Sequence, residues 1–264
     1  MTPQPTPPTQ RALATQPTPP TSPRLAVSGL RRLFPGGAGI DGVDLDVEAG
    51  EVHALVGLNG AGKSTLMRLM LGMLRPDAGT VAIDGVDIRT AAAETWARVG
   101  HLIEYPLAYA ELTGRENLVL GARLHGMATL NVPATVDHII AELGLAKYAA
   151  VRARAMSLGN RQRLGLASAL QHDPDLIVLD EPTNALDPSG VILLRESLLR
   201  RADAGAGVLV SSHHLDEVAR IAARITVLNA GRVIGSLDPH GVDLERAFFT
   251  LVHDDDLSRE EAAA

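Results

Sequence analysis

Cysteine is absent from the 264 residues, which excludes disulfides and thiolate metal sites and fits a reducing compartment. Aromatic residues make up only 3%, and no Lys/Arg-rich run with interleaved aromatics occurs. The formal net charge is −7, so nothing draws the chain as a whole toward nucleic acid, and no nucleic-acid partner is expected. No apolar run approaches the roughly 20 residues that cross a bilayer, and the chain is expected to be soluble by itself. Any membrane role would then come from a partner. A secretory leader is not expected either, because the required apolar run of about 7–15 residues is missing.

What is present begins with one glycine-rich stretch, Gly57-Leu-Asn59-Gly60-Ala61-Gly62-Lys63-Ser64-Thr65. An apolar run, Val52 to Val56, precedes it and reads as a buried strand; Leu66 to Leu71 follows and reads as a helix. Strand, glycine turn and helix form the setting of a phosphate-binding loop. The glycines free the backbone to point successive N–H groups at one phosphate chain, and the positive helix end adds to them. In that pattern Lys63 reaches the β- and γ-phosphates, the Ser64 hydroxyl takes a place on Mg²⁺, and Thr65 lies by the α- or β-phosphate.

The rest of the chain reads as a tail and a large α/β unit. Residues 1–23 hold eight of the sixteen prolines, mixed with Thr and Gln, and cannot bury enough apolar surface to offset their ordering entropy; a disordered, partly extended tail is expected. From Arg24 the pattern gives short strands at 25–27, 43–47 and 80–83 with turns between them, an antiparallel β portion joined to a nucleotide core. Helical periodicity from about 105 to 155, with Leu118, Leu120 and Leu124 and then Val136, Ile139, Ile140 and Leu143, marks an inserted helical subdomain. Beyond it, helices alternate with wholly apolar strands at 176–179, 207–210 and 225–228, the signature of a parallel sheet covered on both faces. The domain is expected to end near 250, leaving an acidic, frayed tail over 251–264.

Two of those strands deliver polar residues at their C-terminal ends, where open α/β sheets bind ligands. Leu176–Leu179 runs into Asp180-Glu181, and Gly207–Val210 runs into Ser211-Ser212-His213-His214. Asp180 is the natural Mg²⁺ partner, through water, which leaves Glu181 free as general base on an attacking water. An imidazole on the same edge can hydrogen-bond the γ-phosphate and position water and base. His213 is favoured over His214 because it comes first after the strand.

Taken together, these residues resemble the ATP-binding subunit of an ABC transporter from Arg24 to about Phe249. Met156-Ser157-Leu158-Gly159-Asn160-Arg161-Gln162-Arg163 stands where that family has its signature loop. The resemblance implies that Ser157 and Gly159 bind ATP across a head-to-tail dimer, a homodimer or a heterodimer with a related subunit, while Ser157 also caps its own helix. Asn184-Ala-Leu-Asp187 resembles the loop linking the two sites, and Phe34 aligns with the aromatic that stacks on adenine. It further implies ATP and Mg²⁺ as ligands and separate transmembrane permease subunits gripped in a groove near Glu104. The location would then be cytoplasmic, on the inner face of the membrane.

Two departures narrow the resemblance. Glu104 replaces the usual glutamine between core and helical subdomain, and Leu158 replaces the first signature glycine. Both are similar to the subgroup serving bacitracin and lantibiotic export or self-protection, which implies drug or peptide-antibiotic export. Glu104 is expected still to sense Mg²⁺ and the attacking water while making metal binding more pH-sensitive than a glutamine would; at about 4 Å and an effective dielectric of about 20 the Coulomb interaction of its charge is about 4 kcal/mol before desolvation and screening. The competing reading is a soluble ABC-type ATPase acting on ribosomes or DNA, although such relatives typically carry two units or a coiled-coil insertion. A phosphate-loop kinase, the more distant alternative, would lack the signature loop and the strand-end histidine.

Overall fold

The computed structural model describes residues 22–263 apart from Leu107; the expected N-terminal tail lies almost wholly outside them. Two sheets form the body. The smaller is antiparallel, in the order β2-β1-β4-β5, built from β1 (Leu25–Leu33), β2 (Gly39–Val47), β4 (Ala78–Ile83) and β5 (Val86–Asp87). The larger runs β10-β9-β3-β8-β7-β6, from β3 (Val52–Val56), β6 (Val99–Leu102), β7 (Leu176–Leu179), β8 (Gly207–Ser212), β9 (Arg224–Asn229) and β10 (Arg232–Leu237). Its strands are parallel except for the β9–β10 hairpin at one edge.

The almost wholly apolar central strands have a direct cause. Side chains alternate across a strand, and here both faces are covered. Ile177 and Leu179 of β7, with Val208 and Val210 of β8, pack toward one core. Leu176 and Val178, with Leu209, pack into the other, under helix α1 (Lys63–Met70) and the antiparallel sheet. Each face therefore favours apolar residues, and polar ones such as His53 of β3 and Ser211 of β8 are buried with hydrogen-bond partners.

The helical subdomain holds α3 (Gly114–Leu124) and α4 (Val132–Glu142). Thr113 caps α3, its side chain accepting from the Glu116 N–H while Glu116 receives the Thr113 N–H in return. These helices bury Leu118, Val136 and Ile139 against Leu164 of α5 (Leu158–Leu170). The subdomain is fastened to the core by Glu142, which accepts from Ser197 Oγ at 2.5 Å and Arg201 at 2.6 Å on α6 (Pro188–Asp203). A short helix, α2 (Ala93–Trp96), and α7 (Leu215–Ala219) complete the core.

The C-terminal end departs from expectation. Residues Leu244–Ala263 form one helix, α8, where a frayed tail over 251–264 was expected. Phe248 and Val252 are buried, and the Asn229 amide donates to Asp255 and Asp256 at 2.8 and 2.9 Å. The acidic run thus has a structural partner, which its charge pattern alone does not reveal. Among the described residues no helix is long and apolar enough to cross a membrane.

Candidate active site

Sheet order assembles the site. β3 lies beside β8 with Val56 opposite Ser212, and β8 lies beside β7 with Leu179 opposite Val210. The residues leaving the three C-terminal ends are Gly57, His213 and Asp180, so the glycine loop, the imidazole and the carboxylates emerge side by side. This is the edge at which parallel sheets bind ligands.

The loop needs its glycines. A Cβ on Gly57 would stand 2.4 Å from the Leu228 carbonyl, and Gly60 and Gly62 take φ of +86° and +107°. Leu58, Asn59 and Gly60 are exposed, whereas Ala61 is buried. Helix α1 then starts at Lys63 with no side-chain cap and no acidic residue in its first turn. By contrast α3, α5 and α6 are capped by Thr113, Ser157 and Asp187. The unbonded N–H groups of a helix start attract an anion, and here they are left uncapped beside a buried lysine.

Lys63 Nζ donates to the Gly57 carbonyl at 2.7 Å and lies 3.3 Å from Glu181 Oε1. The other carboxylate oxygen, Glu181 Oε2, is 2.8 Å from His213 Nδ1. Lysine, glutamate and histidine thus form one continuous chain of charge-assisted contacts. Glu181 takes φ of +46°, a left-handed conformation that costs of order 1–3 kcal/mol in a non-glycine residue and persists where the surroundings enforce it. Ser211 provides that enforcement: its Oγ accepts the Glu181 N–H at 2.8 Å and donates to Asp180 Oδ1 at 2.5 Å. Asp180 is buried and its N–H donates to the Leu102 carbonyl.

Among the described residues no cluster of His, Asp or Glu gathers as a metal cage. Ser64 and Asp180 offer hard oxygens instead, a donor set suited to Mg²⁺, which retains several waters. Glu104 does not join the chain. It sits just after β6 with φ of +62°, and its carboxylate pairs with Arg68 of α1. Phe34 is half-buried in a turn closed by the Phe34 N–H to the Ala38 carbonyl, with the Arg32 guanidinium 5.5 Å from its ring centre. Ser157 is exposed and accepts from the Asn160 N–H at 3.3 Å and its Nδ2 at 2.9 Å. Gly159 packs so closely that a Cβ would be 2.3 Å from the Ala185 carbonyl.

Sequence reasoning missed two parts of this arrangement. Ser211 was visible only as a strand-end serine, because its bonds to the Asp180 carboxylate and the Glu181 N–H depend on β7 and β8 being neighbours. The Arg68–Glu104 pair joins residues on a helix and a strand end, and no spacing rule signals it.

A glycine loop, an uncapped helix start, a buried lysine and strand-end carboxylates define a phosphate-loop nucleotide-binding protein. The family model described as ABC transporter matches residues 40–184, more than half of the chain, which belongs to that family of ATP-hydrolysing subunits. The daunorubicin resistance ATP-binding protein DrrA3 of Streptomyces coeruleorubidus is 38% identical over 210 residues, covering 80% of this chain and 66% of its own length. The bacitracin transport ATP-binding protein BcrA of Bacillus licheniformis is 32% identical over 211 residues, covering 80% and 68%. The chain therefore spans about two thirds of the length of these curated relatives. Among solved structures, an ATP-binding subunit of an ABC transporter superposes with a TM-score of 0.77 at 29% identity, over 89% of this chain and 98% of that one. The cbiO1 protein of Clostridium perfringens, at 24% identity and a TM-score of 0.71 over 89% and 95%, shares the fold.

Proposed function

We propose that the chain is the ATP-hydrolysing subunit of a drug or peptide-antibiotic exporter and works with separate transmembrane permease subunits on the cytoplasmic face of a membrane. The observation that carries this reading is the Lys63–Glu181–His213 chain beside the uncapped start of α1. The names of the relatives, one a daunorubicin resistance protein and one a bacitracin transport protein, support the cargo class. Two copies would close head to tail, each offering Ser157 and Gly159 to the other's ATP, with Phe34 against adenine.

In this mechanism Lys63 exchanges its internal partners, the Gly57 carbonyl and Glu181, for phosphate oxygens. Glu181, released from the lysine, takes a proton from water as the water oxygen bonds to the γ-phosphorus; the bond to the β-bridging oxygen breaks and ADP leaves. His213 holds the carboxylate in place and hydrogen-bonds the γ-phosphate. Mg²⁺ at Ser64 and Asp180 would neutralise charge on the β- and γ-phosphates. The chain's own contribution is positioning and fixed charge.

Glu181→Gln keeps the shape and removes the base. It is expected to lower ATP turnover by about 10²–10⁴-fold while an ATP-bound dimer accumulates in size-exclusion chromatography. Full turnover in this variant would reject Glu181 as base. Recovery of the tagged chain with a polytopic membrane protein supports transport, whereas recovery with ribosomes or DNA would reject it.

A further inference from the structure

We propose that the cavity between α6 and α7, behind the edge that carries Glu181 and His213, binds a small apolar amine. Its volume is about 430 Å³, within the range of about 300–1,000 Å³ typical of small-molecule sites. Leu186, Ile192, Leu198, Val210 and Ile221 give it apolar walls. Two carboxylates, Asp216 and Glu217, border it; Asp216 is exposed, whereas Glu217 Oε2 is buried without a hydrogen-bond partner. A buried acceptor with no donor is a standing cost to the protein. Arg195 and Arg220 also border the cavity, yet neither satisfies this oxygen; their alkyl stems extend the wall while their charged heads can turn to water.

The ligand class follows from these features. An ammonium is the strongest match for an unpaired carboxylate oxygen, and a flat or branched hydrocarbon body fills the remaining volume. A neutral alcohol meets the hydrogen bond but leaves the charge unmatched, and a carboxylate ligand offers the Glu217 oxygen no donor. Ser211 and Ser212 form the floor, and Ser211 is the residue that braces Asp180 and Glu181. An occupied cavity therefore bears on the Asp180 carboxylate and the Glu181 backbone from behind, and on α7, which begins two residues after His213. The binding itself does not depend on the ATPase reading.

Dansylcadaverine, an environment-sensitive fluorophore carrying a primary amine, is the probe, titrated into the purified full-length chain without nucleotide. A saturable fluorescence rise is expected. Glu217→Gln and, separately, the N-acetylated probe should each weaken binding at least about tenfold, the lower end of what a hydrogen bond to a charged group is worth. Ile192→Trp, a change at an exposed position on the rim, should abolish the saturable rise with circular dichroism unchanged. A rise that never saturates, equal affinity for the amine and its acetylated form, or undiminished binding in Ile192→Trp would each overturn the proposal. ATP turnover in Ile192→Trp without ligand should match the parent within about twofold, so failure at the cavity is distinguishable from failure of the ATPase.

Discussion

Gly159 separates two roles that the signature loop could play. If its lack of a side chain serves only a second protomer's ATP, alanine there leaves the isolated chain as stable as before. The packing says otherwise, because the added methyl would lie 2.3 Å from the Ala185 carbonyl, a backbone atom that cannot swing aside. Either the first turn of α5 or the loop around Ala185 must move. That loop has little slack: Ala185 takes φ of +65°, and just beyond it Asp187 caps α6 and pairs with Arg163 of α5. Overpacking of this kind costs about 1–3 kcal/mol. Gly159 is the second residue of α5, where alanine recovers only part of the roughly 1 kcal/mol it gains in a helix interior, so a net loss of about 1–2 kcal/mol remains. In a chain of this size that lowers Tm by about 2–8 °C, measured by thermal circular dichroism without nucleotide. An unchanged or raised Tm in Gly159→Ala would refute the packing argument and leave the glycine to a role in the dimer alone.

Two further predictions concern charge. Arg68 and Glu104 are partly exposed, with side chains 33% and 44% accessible, so breaking the pair by Glu104→Gln should cost less than about 1 kcal/mol in urea unfolding. Because Arg68 already neutralises this carboxylate, the Mg²⁺ dependence of ATP turnover between about pH 5.5 and 8 should differ little between Glu104 and Glu104→Gln, and clearly once Arg68→Ala is also present; an equal effect in both backgrounds would reject the pairing. The second concerns His172, which stacks on His125 with ring centres 3.8 Å apart and faces His101 and Arg201. Burial, then the neighbouring His125 charge, lowers its pKa from 6.5 to about 4. The unfolded chain therefore binds the proton first: the neutral imidazole's stability is full above pH 6.5, falls as pH drops toward 4, and is lost below. Linkage puts the loss at up to about 3 kcal/mol, and His172→Phe should flatten stability against pH in that window when denaturant midpoints are compared. An unaltered slope would remove His172 as the source.

The chain's own pattern carries much of this protein. Strands at 52–56 and 176–179 were readable to the residue because a strand buried on both faces is almost wholly apolar; the exception, His53, is buried with both ring nitrogens hydrogen-bonded, to the Asp46 carbonyl and Thr226 Oγ1. The glycine loop was readable because torsions such as +86° at Gly60 and +107° at Gly62 are costly for other residues. Asp180, Glu181 and His213 were legible as strand-end polar residues. β6 escaped notice because Val99-Gly-His-Leu102 is short and interrupted by polar and small residues, and α8 because its acidic surface resembles a solvated tail.

Sequence by itself thus determined the chemical groups: a phosphate loop, two carboxylates and an imidazole, each at the end of an element fixed by local pattern. Tertiary structure alone decided how they meet. Placing β8 between β3 and β7 puts Glu181 between Lys63 and His213 and sets Ser211 against the Asp180 carboxylate and the Glu181 N–H. It also turned Glu104 toward Arg68, set Gly159 against Ala185, and left Glu217 with an unpaired oxygen in an apolar cavity. The physical reason is range: glycine torsions and apolar alternation act between neighbours in the chain, whereas ion pairs, close contacts and cavities arise between residues that meet only after folding.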